Sequence, residues 1–137
     1  RKAFKKRRCL IPSSGFFEWA KEDKKKQPYF IRLKNNSPMA FAGLWEVWSS
    51  PEGKIVKTCA ILTVEANSYL RFIHHRMPVI LNPSNGMHWL NLEGTEASLK
   101  NLLIPFNSEN MEAWRVTRQV NVPTFDNPNC LENLDES

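Results

Sequence analysis

Apolar and polar positions in the first half of the chain alternate in short runs separated by turn-forming residues. Residues 9–12 and 15–20 are apolar and aromatic stretches divided by Ser13-Ser14, and residues 28–33 alternate aromatic and β-branched side chains after a lysine-rich turn. Such runs predict strands. A fourth strand is expected over residues 40–48, bounded by Asn35-Asn36-Ser37-Pro38 before it and residues 49–53 after it, with residues 54–63 as its partner.

The spacing then changes. Residues 66–73 carry apolar positions at roughly helical spacing with Asn67 as a cap, and Pro78 forces the chain out of any helix into a strand at 79–81. Ser84 is expected to cap a helix reaching Leu90, and Thr95 a second amphipathic helix over 94–103. Residues 114–120 predict a last strand. The remainder, with Pro123, Pro128 and several Asn and Asp residues, is expected to be irregular. No repeat or Gly/Ser linker divides the chain, so the pattern predicts one unit: an α+β fold with a mostly antiparallel β core, partly barrel-like, and a few short helices.

Composition adds limits. With 137 residues, 42% hydrophobic and 24% charged, the chain falls in the range of one globular domain and outside the disordered class. Its longest apolar stretches, near residues 60–64 and 77–81, are far short of the ~20 needed to cross a bilayer, so no membrane partner is expected. The first residue is Arg1, with no signal-like leader. The cysteines Cys9, Cys59 and Cys130 are odd in number and irregularly spaced, which argues against a disulfide framework or a zinc site. A reducing compartment is expected, cytoplasmic in a bacterium and nuclear in a eukaryote.

Charge points to a class of partner. The net charge is +5 and the isoelectric point about 9.3, with the excess in Arg1, Lys2, Lys5, Lys6, Arg7 and Arg8 and again at Lys24, Lys25 and Lys26. The tail, from Asp126 through Glu132, Asp135 and Glu136, is acidic. A basic patch of this size suits a polyanion such as nucleic acid, although a solvated lysine face has the same composition.

Two sites carry candidate chemistry. Glu18 lies in Gly15-Phe16-Phe17-Glu18-Trp19, among the most apolar stretches of the chain. Buried there, its pKa would rise toward the range of a general acid or base. Strand alternation instead turns Glu18 outward, and on pattern alone that reading is preferred. The second site is His74-His75-Arg76, where histidine can shuttle protons and arginine can bind phosphate. Adjacent helical histidines point about 100° apart, and no HExxH spacing supports His88, so no metal is expected. Most of the five tryptophans should be core, with Trp19 the candidate for stacking on an unpaired base.

Taken in order, RRCLIP (residues 7–12), GFFEW (15–19), QPYFI (27–31), FAGLWE (41–46), ILT (61–63) and IHHRMPVIL (73–81) resemble the SRAP (SOS response-associated peptidase) family. A weaker echo lies in residues 116–121. The resemblance implies a compact α+β fold with a positively charged channel for single-stranded DNA, acting on abasic sites. In the family an N-terminal Cys attacks the ring-opened sugar aldehyde with its amine and thiol, giving a thiazolidine crosslink, and residues ahead of that Cys are removed autoproteolytically.

The resemblance further implies catalytic roles for Glu18, which moves protons, and for His74, which positions the sugar oxygen. Trp19, Thr63 and Arg76 match DNA-binding positions, Trp19 by stacking and Arg76 at the backbone. It implies no cofactor and a monomer whose partners are single-stranded and abasic-site DNA. The family's Met-Cys-Gly-Arg start and its later Asn-Ala-Arg-x-Glu stretch do not occur here. Residues 1–137 are therefore expected to be the C-terminal major part of a single such domain, without the nucleophile and inactive alone. Cys9 is no substitute, because its amine is in a peptide bond. Two other readings compete: a non-covalent single-stranded-DNA-binding module, and a protease acting on other proteins, which would need a nucleophile near His74.

Overall fold

The computed structural model describes residues 2–136; Arg1, counted above in the basic cluster, lies outside them. Helix α1 (Lys2–Lys6) leads into β1 (Arg8–Ser13), β2 (Phe16–Glu22), β3 (Lys25–Leu33), β4 (Met39–Ser49), β5 (Ile55–Ile61), β6 (Thr63–Glu65), β7 (Arg76–Pro78) and β8 (Ile80–Leu81). Helices α2 (Pro83–Leu90) and α3 (Glu96–Lys100) follow, then β9 (Met111–Arg115) and an irregular tail with 3-10 turns. The fold is α+β, with antiparallel sheets and short helices, as the pattern predicts. One sheet has the order β1-β4-β5 with β8 also on β4, a second is β2-β3-β9, and β6-β7 form a ribbon. Among the described residues the strands do not close into a barrel.

The first sheet branches at Ala42, which is fully buried. One edge of β4 pairs with β1; the other pairs with β5 from Gly43 onward and with β8 at Ala40 and Phe41. At the changeover Ala42 donates to the Val79 carbonyl (2.9 Å) and accepts from the Leu62 N–H (2.9 Å), while the Val79 N–H donates to the Leu62 carbonyl (2.9 Å). Beyond this triangle β6 and β7 peel off together. The ribbon's free end carries the His74 region.

Residues 66–73 form turns rather than the predicted helix. A straight eight-residue helix would hold its ends about 12 Å apart. Here the segment must reconnect β6 to β7, neighbours that lie about 5 Å apart, and the Ala66 N–H already donates to the His75 carbonyl (2.9 Å). Asn67 does cap the first turn, accepting from the Leu70 N–H (2.9 Å) and donating to the Phe106 carbonyl (2.8 Å).

Three boundaries also differ from expectation. Asn82 rather than Ser84 caps α2, accepting from the Asn85 N–H (2.8 Å), because Pro83 occupies the first helical position. Thr95 caps α3 as predicted, but the helix is only five residues long. The last strand spans Met111–Arg115 instead of 114–120. Opposite its end stands Pro28, which accepts from the Val116 N–H (3.0 Å) but has no N–H to return. The buried Gln27 side chain donates to the Val116 carbonyl in its place (2.9 Å). With the ladder closed off, residues 118–121 form a 3-10 turn headed by Thr117.

Two apolar clusters fill the interior. One, around Tyr29, Ile31, Phe41, Leu70, Ile73 and Met111, joins the inner face of β2-β3-β9 to the turns at 66–73. The other, around Ala42, Val79, Trp89 and Leu99, packs α2 and α3 onto the first sheet. Buried Arg8 clasps the helix ends: its guanidinium donates to the carbonyls of Trp89 (2.6 Å), Asn91 (2.7 Å), Phe4 (2.6 Å) and Lys5 (2.8 Å). Arg7 pairs with Glu46 (2.7 Å). Arg7 and Arg8 of the N-terminal basic run thus serve the fold.

Candidate functional site

Gly15 lets the chain enter β2. A Cβ there would land on the Phe30 ring and 2.9 Å from the Ile31 carbonyl oxygen, so any larger residue would push β2 off β3. From this start the alternation along β2 sets Phe16, Glu18, Ala20 and Glu22 on one face and Phe17, Trp19 and Lys21 on the other. Cross-strand partners share a face, so Glu18 stands with Tyr29, a core residue. Glu18 therefore faces inward, and the outward reading preferred on pattern alone is overturned. It is half-buried, with Oε1 accepting the Trp19 N–H at 3.1 Å. Its Oε2 has no protein partner among the described residues.

Glu18, Trp19, Lys26, His74 and Asn121 line an open depression of about 380 Å³. Glu18 and Trp19 reach it from opposite faces because β2 is an edge strand, and the depression lies over that edge. Trp19 is half-buried, and its indole N–H donates to the Asn121 side-chain oxygen at 2.7 Å. The 3-10 turn after Val116 delivers Asn121 to that position.

His74 arrives from the ribbon. Its Nδ1 accepts the Arg76 N–H at 3.0 Å and lies 3.2 Å from the Arg76 carbonyl oxygen. A neutral ring with its proton on Nε2 uses the first contact, and a protonated ring uses the second. Nδ1 therefore meets the Arg76 backbone as acceptor or as donor, according to which ring nitrogen carries a proton. The ring stacks on His75, with centroids 4.5 Å apart.

The structure brings Glu18, Trp19 and His74 into one depression. Thr63 and Arg76 do not line it; they form an adjoining exposed pair on the ribbon. The Arg76 guanidinium donates to the Thr63 carbonyl (2.7 Å) and hydroxyl (3.2 Å). Two lining residues, Lys26 and Asn121, were not singled out from the sequence. Asn121 ends the 116–121 block, while Lys26 is indistinguishable from its lysine neighbours until the strand register is known.

Among the described residues no cluster of three or more His, Cys, Asp or Glu side chains is placed to hold a metal. Cys9 is half-buried in β1, and burial together with nearby Cys59 pushes its thiol pKa up, away from nucleophile behaviour at neutral pH. A larger hollow of about 660 Å³, lined by Lys2, Phe4, Lys5, Glu96 and Lys100, lies between α1 and α3 and has no histidine. The chemistry converges on the smaller one.

Comparisons with known proteins identify the relatives of this chain. The model of the SOS response associated peptidase (SRAP) family matches residues 1–123. The chain is 42% identical over 134 residues to the abasic site processing protein YoqW of Bacillus subtilis, covering 96% of this chain and 60% of that protein. It is 32% identical over 149 residues to the abasic site processing protein HMCES of Gallus gallus, covering 93% and 44% respectively. The crystal structure of a Bacteroides thetaiotaomicron protein superposes with a TM-score of 0.91 at 32% identity, over 97% of this chain and 59% of that one. The chain thus spans about 60% or less of the length of these relatives. The SRAP match covers most of the sequence and includes every residue of the depression, and so the chain belongs to the SRAP family.

Proposed function

We propose that this chain forms the DNA-holding and proton-transfer part of a protein that captures abasic sites in single-stranded DNA. The observation that carries the reading is the meeting of Glu18 and His74, from separate sheets, over one solvent-open depression beside an anchored indole. Relatives bearing the name abasic site processing protein support the substrate class. No cofactor is invoked, and the protein acts as a monomer.

In this reading the ring-opened sugar of the lesion lies between the carboxylate and the imidazole. An amine condenses with the aldehyde carbon and releases water, giving a Schiff base. The neighbouring thiol then adds to the imine carbon and its proton passes to the nitrogen, closing a thiazolidine. Glu18 moves protons between sugar oxygen and amine, and His74 holds the sugar oxygen and supplies the proton that lets water leave. Trp19 stacks on an adjacent base, and the Thr63–Arg76 pair meets the backbone. The same proton movements serve reversal, lyase chemistry and autoproteolytic release of residues ahead of the nucleophile.

Cys9, Cys59 and Cys130 all have their amines in peptide bonds. The amine and thiol are therefore assigned to an N-terminal Cys in a segment outside residues 1–137, and this chain alone is inactive. The complete protein, mixed with single-stranded DNA carrying one abasic site and run on a denaturing gel, should give a heat-stable shifted band. The Glu18→Ala variant should form it at least ~100-fold more slowly. Absence of any band with DNA binding intact would leave a non-covalent binding module as the function.

A further inference from the structure

The β2–β3 register sets Lys21 directly opposite Lys26, on the face that also carries Trp19 and its partner Pro28. Both lysines are exposed. Like charges directly opposite on a sheet destabilise the pair, and this hairpin has acidic residues close by that do not relieve it. Glu22 points to the other face, where it accepts from the Tyr29 hydroxyl (2.6 Å) and pairs with Arg115 (3.5 Å). Asp23 sits in the turn itself with a left-handed backbone. Among the described residues neither lysine has an acidic side chain within ion-pair distance.

A third cation joins them. Exposed Arg118 reaches the Lys26 carbonyl (3.4 Å), so the 3-10 turn that supplies Asn121 to Trp19 also sets a guanidinium against the hairpin. Lys21 and Lys26 therefore share one face of the hairpin with Arg118 on the β9 side of Lys26, and Lys26 also lines the depression with Glu18 and His74. Opposed Cβ atoms in an antiparallel pair lie about 5 Å apart, a separation at which two ammonium groups can close on one phosphate.

We infer that Lys21 and Lys26, with Arg118 behind them, form a clamp for a single backbone phosphate of the DNA strand, on the outer face of β2. This rests on the functional reading above and adds a path to it. The strand crosses the edge of β2, with the lesion sugar on the Glu18 and His74 side and the next base and phosphate on the Trp19 side. The cross-strand repulsion is what the bound phosphate relieves.

The test is a salt titration of the complete protein binding a labelled single strand without any lesion, so that no covalent step intervenes. The variant Lys21→Gln/Lys26→Gln is compared with Lys54→Gln/Lys57→Gln, which removes the same charge at the far end of the β4–β5 hairpin. Losing one phosphate contact flattens the plot of log affinity against log salt by about 0.7 for a single strand. The clamp variant should show that change and weaker binding, with a melting temperature equal to or above the wild type, and the control should keep the wild-type slope. Equal slopes in the two variants overturn the clamp while leaving the functional reading intact. A wild-type protein that shows no salt-dependent binding overturns both.

Discussion

The body of the fold and the outer half of the β4–β5 hairpin start from similar sequence and end in opposite environments. In the body, three buried polar side chains are matched, Arg8 to four carbonyls, Gln27 to Val116 and Asn67 to Leu70 and Phe106, while Arg115 Nε is buried without a partner. In the hairpin arm, Trp48 is 57% exposed and Ile55 64%, and Val47 is also open. An alternating apolar run specifies that a face excludes water. It does not specify what lies against that face. The body answers the question with its own helices and turns; within residues 2–136 the arm does not.

Four substitutions or titrations would break or sharpen this contrast. Replacing Arg8 with Met strips four carbonyls of their donor at two helix ends, and should cost about 3–5 kcal/mol in urea unfolding. Next comes a titration. Burial and the Glu22 carboxylate push the Tyr29 hydroxyl up to about 12, against an ordinary value near 10. The folded state then keeps a proton that the unfolded state loses, so this contribution is complete below about pH 10 and disappears as pH rises through about 12. The loss should approach ~2–3 kcal/mol, and Tyr29→Phe should abolish that slope in alkaline unfolding. A smaller cost, about 1–3 kcal/mol, is expected for Gln27→Ala, which orphans the Val116 carbonyl. The indole of Trp19 should also loosen, read as a fluorescence shift, because Asn121 hangs from the same turn. Smallest is the arm itself: Trp48→Ser with Ile55→Thr should change stability by less than about 0.5 kcal/mol while raising solubility. A cost of several kcal/mol there would show that the arm is covered in solution.

Strands β1 to β5 were legible in the sequence because each needs only its own alternation and its own flanking turn formers, whereas the short ribbon β6–β7 was not read as such. The misjudged segment, residues 66–73, has helical spacing but is governed by the distance between β6 and β7, a quantity set by residues on either side of it. The last strand was misplaced for a related reason: its end is fixed by Pro28, far away in the chain. At the site, Glu18, Trp19 and His74 were visible through motif resemblance, and the inward direction of Glu18 needed the register with Tyr29. Lys26 and Asn121 were hidden because their significance is entirely positional. A lysine in a lysine run and an asparagine in a polar tail carry no local signal.

The Arg8 clasp also imposes an order in time. Its partners Trp89 and Asn91 lie 81 and 83 residues further along the chain. At ordinary synthesis rates the arginine waits roughly 4–16 s before the carbonyls that surround it have been made. During that interval α1 has only its own Phe4 and Lys5 carbonyls to offer, and a five-residue helix does not persist alone in water. The Arg8 clasp is therefore complete only after α2 has been made, and any ribosome pause between β8 and α2 prolongs the exposure of its charge.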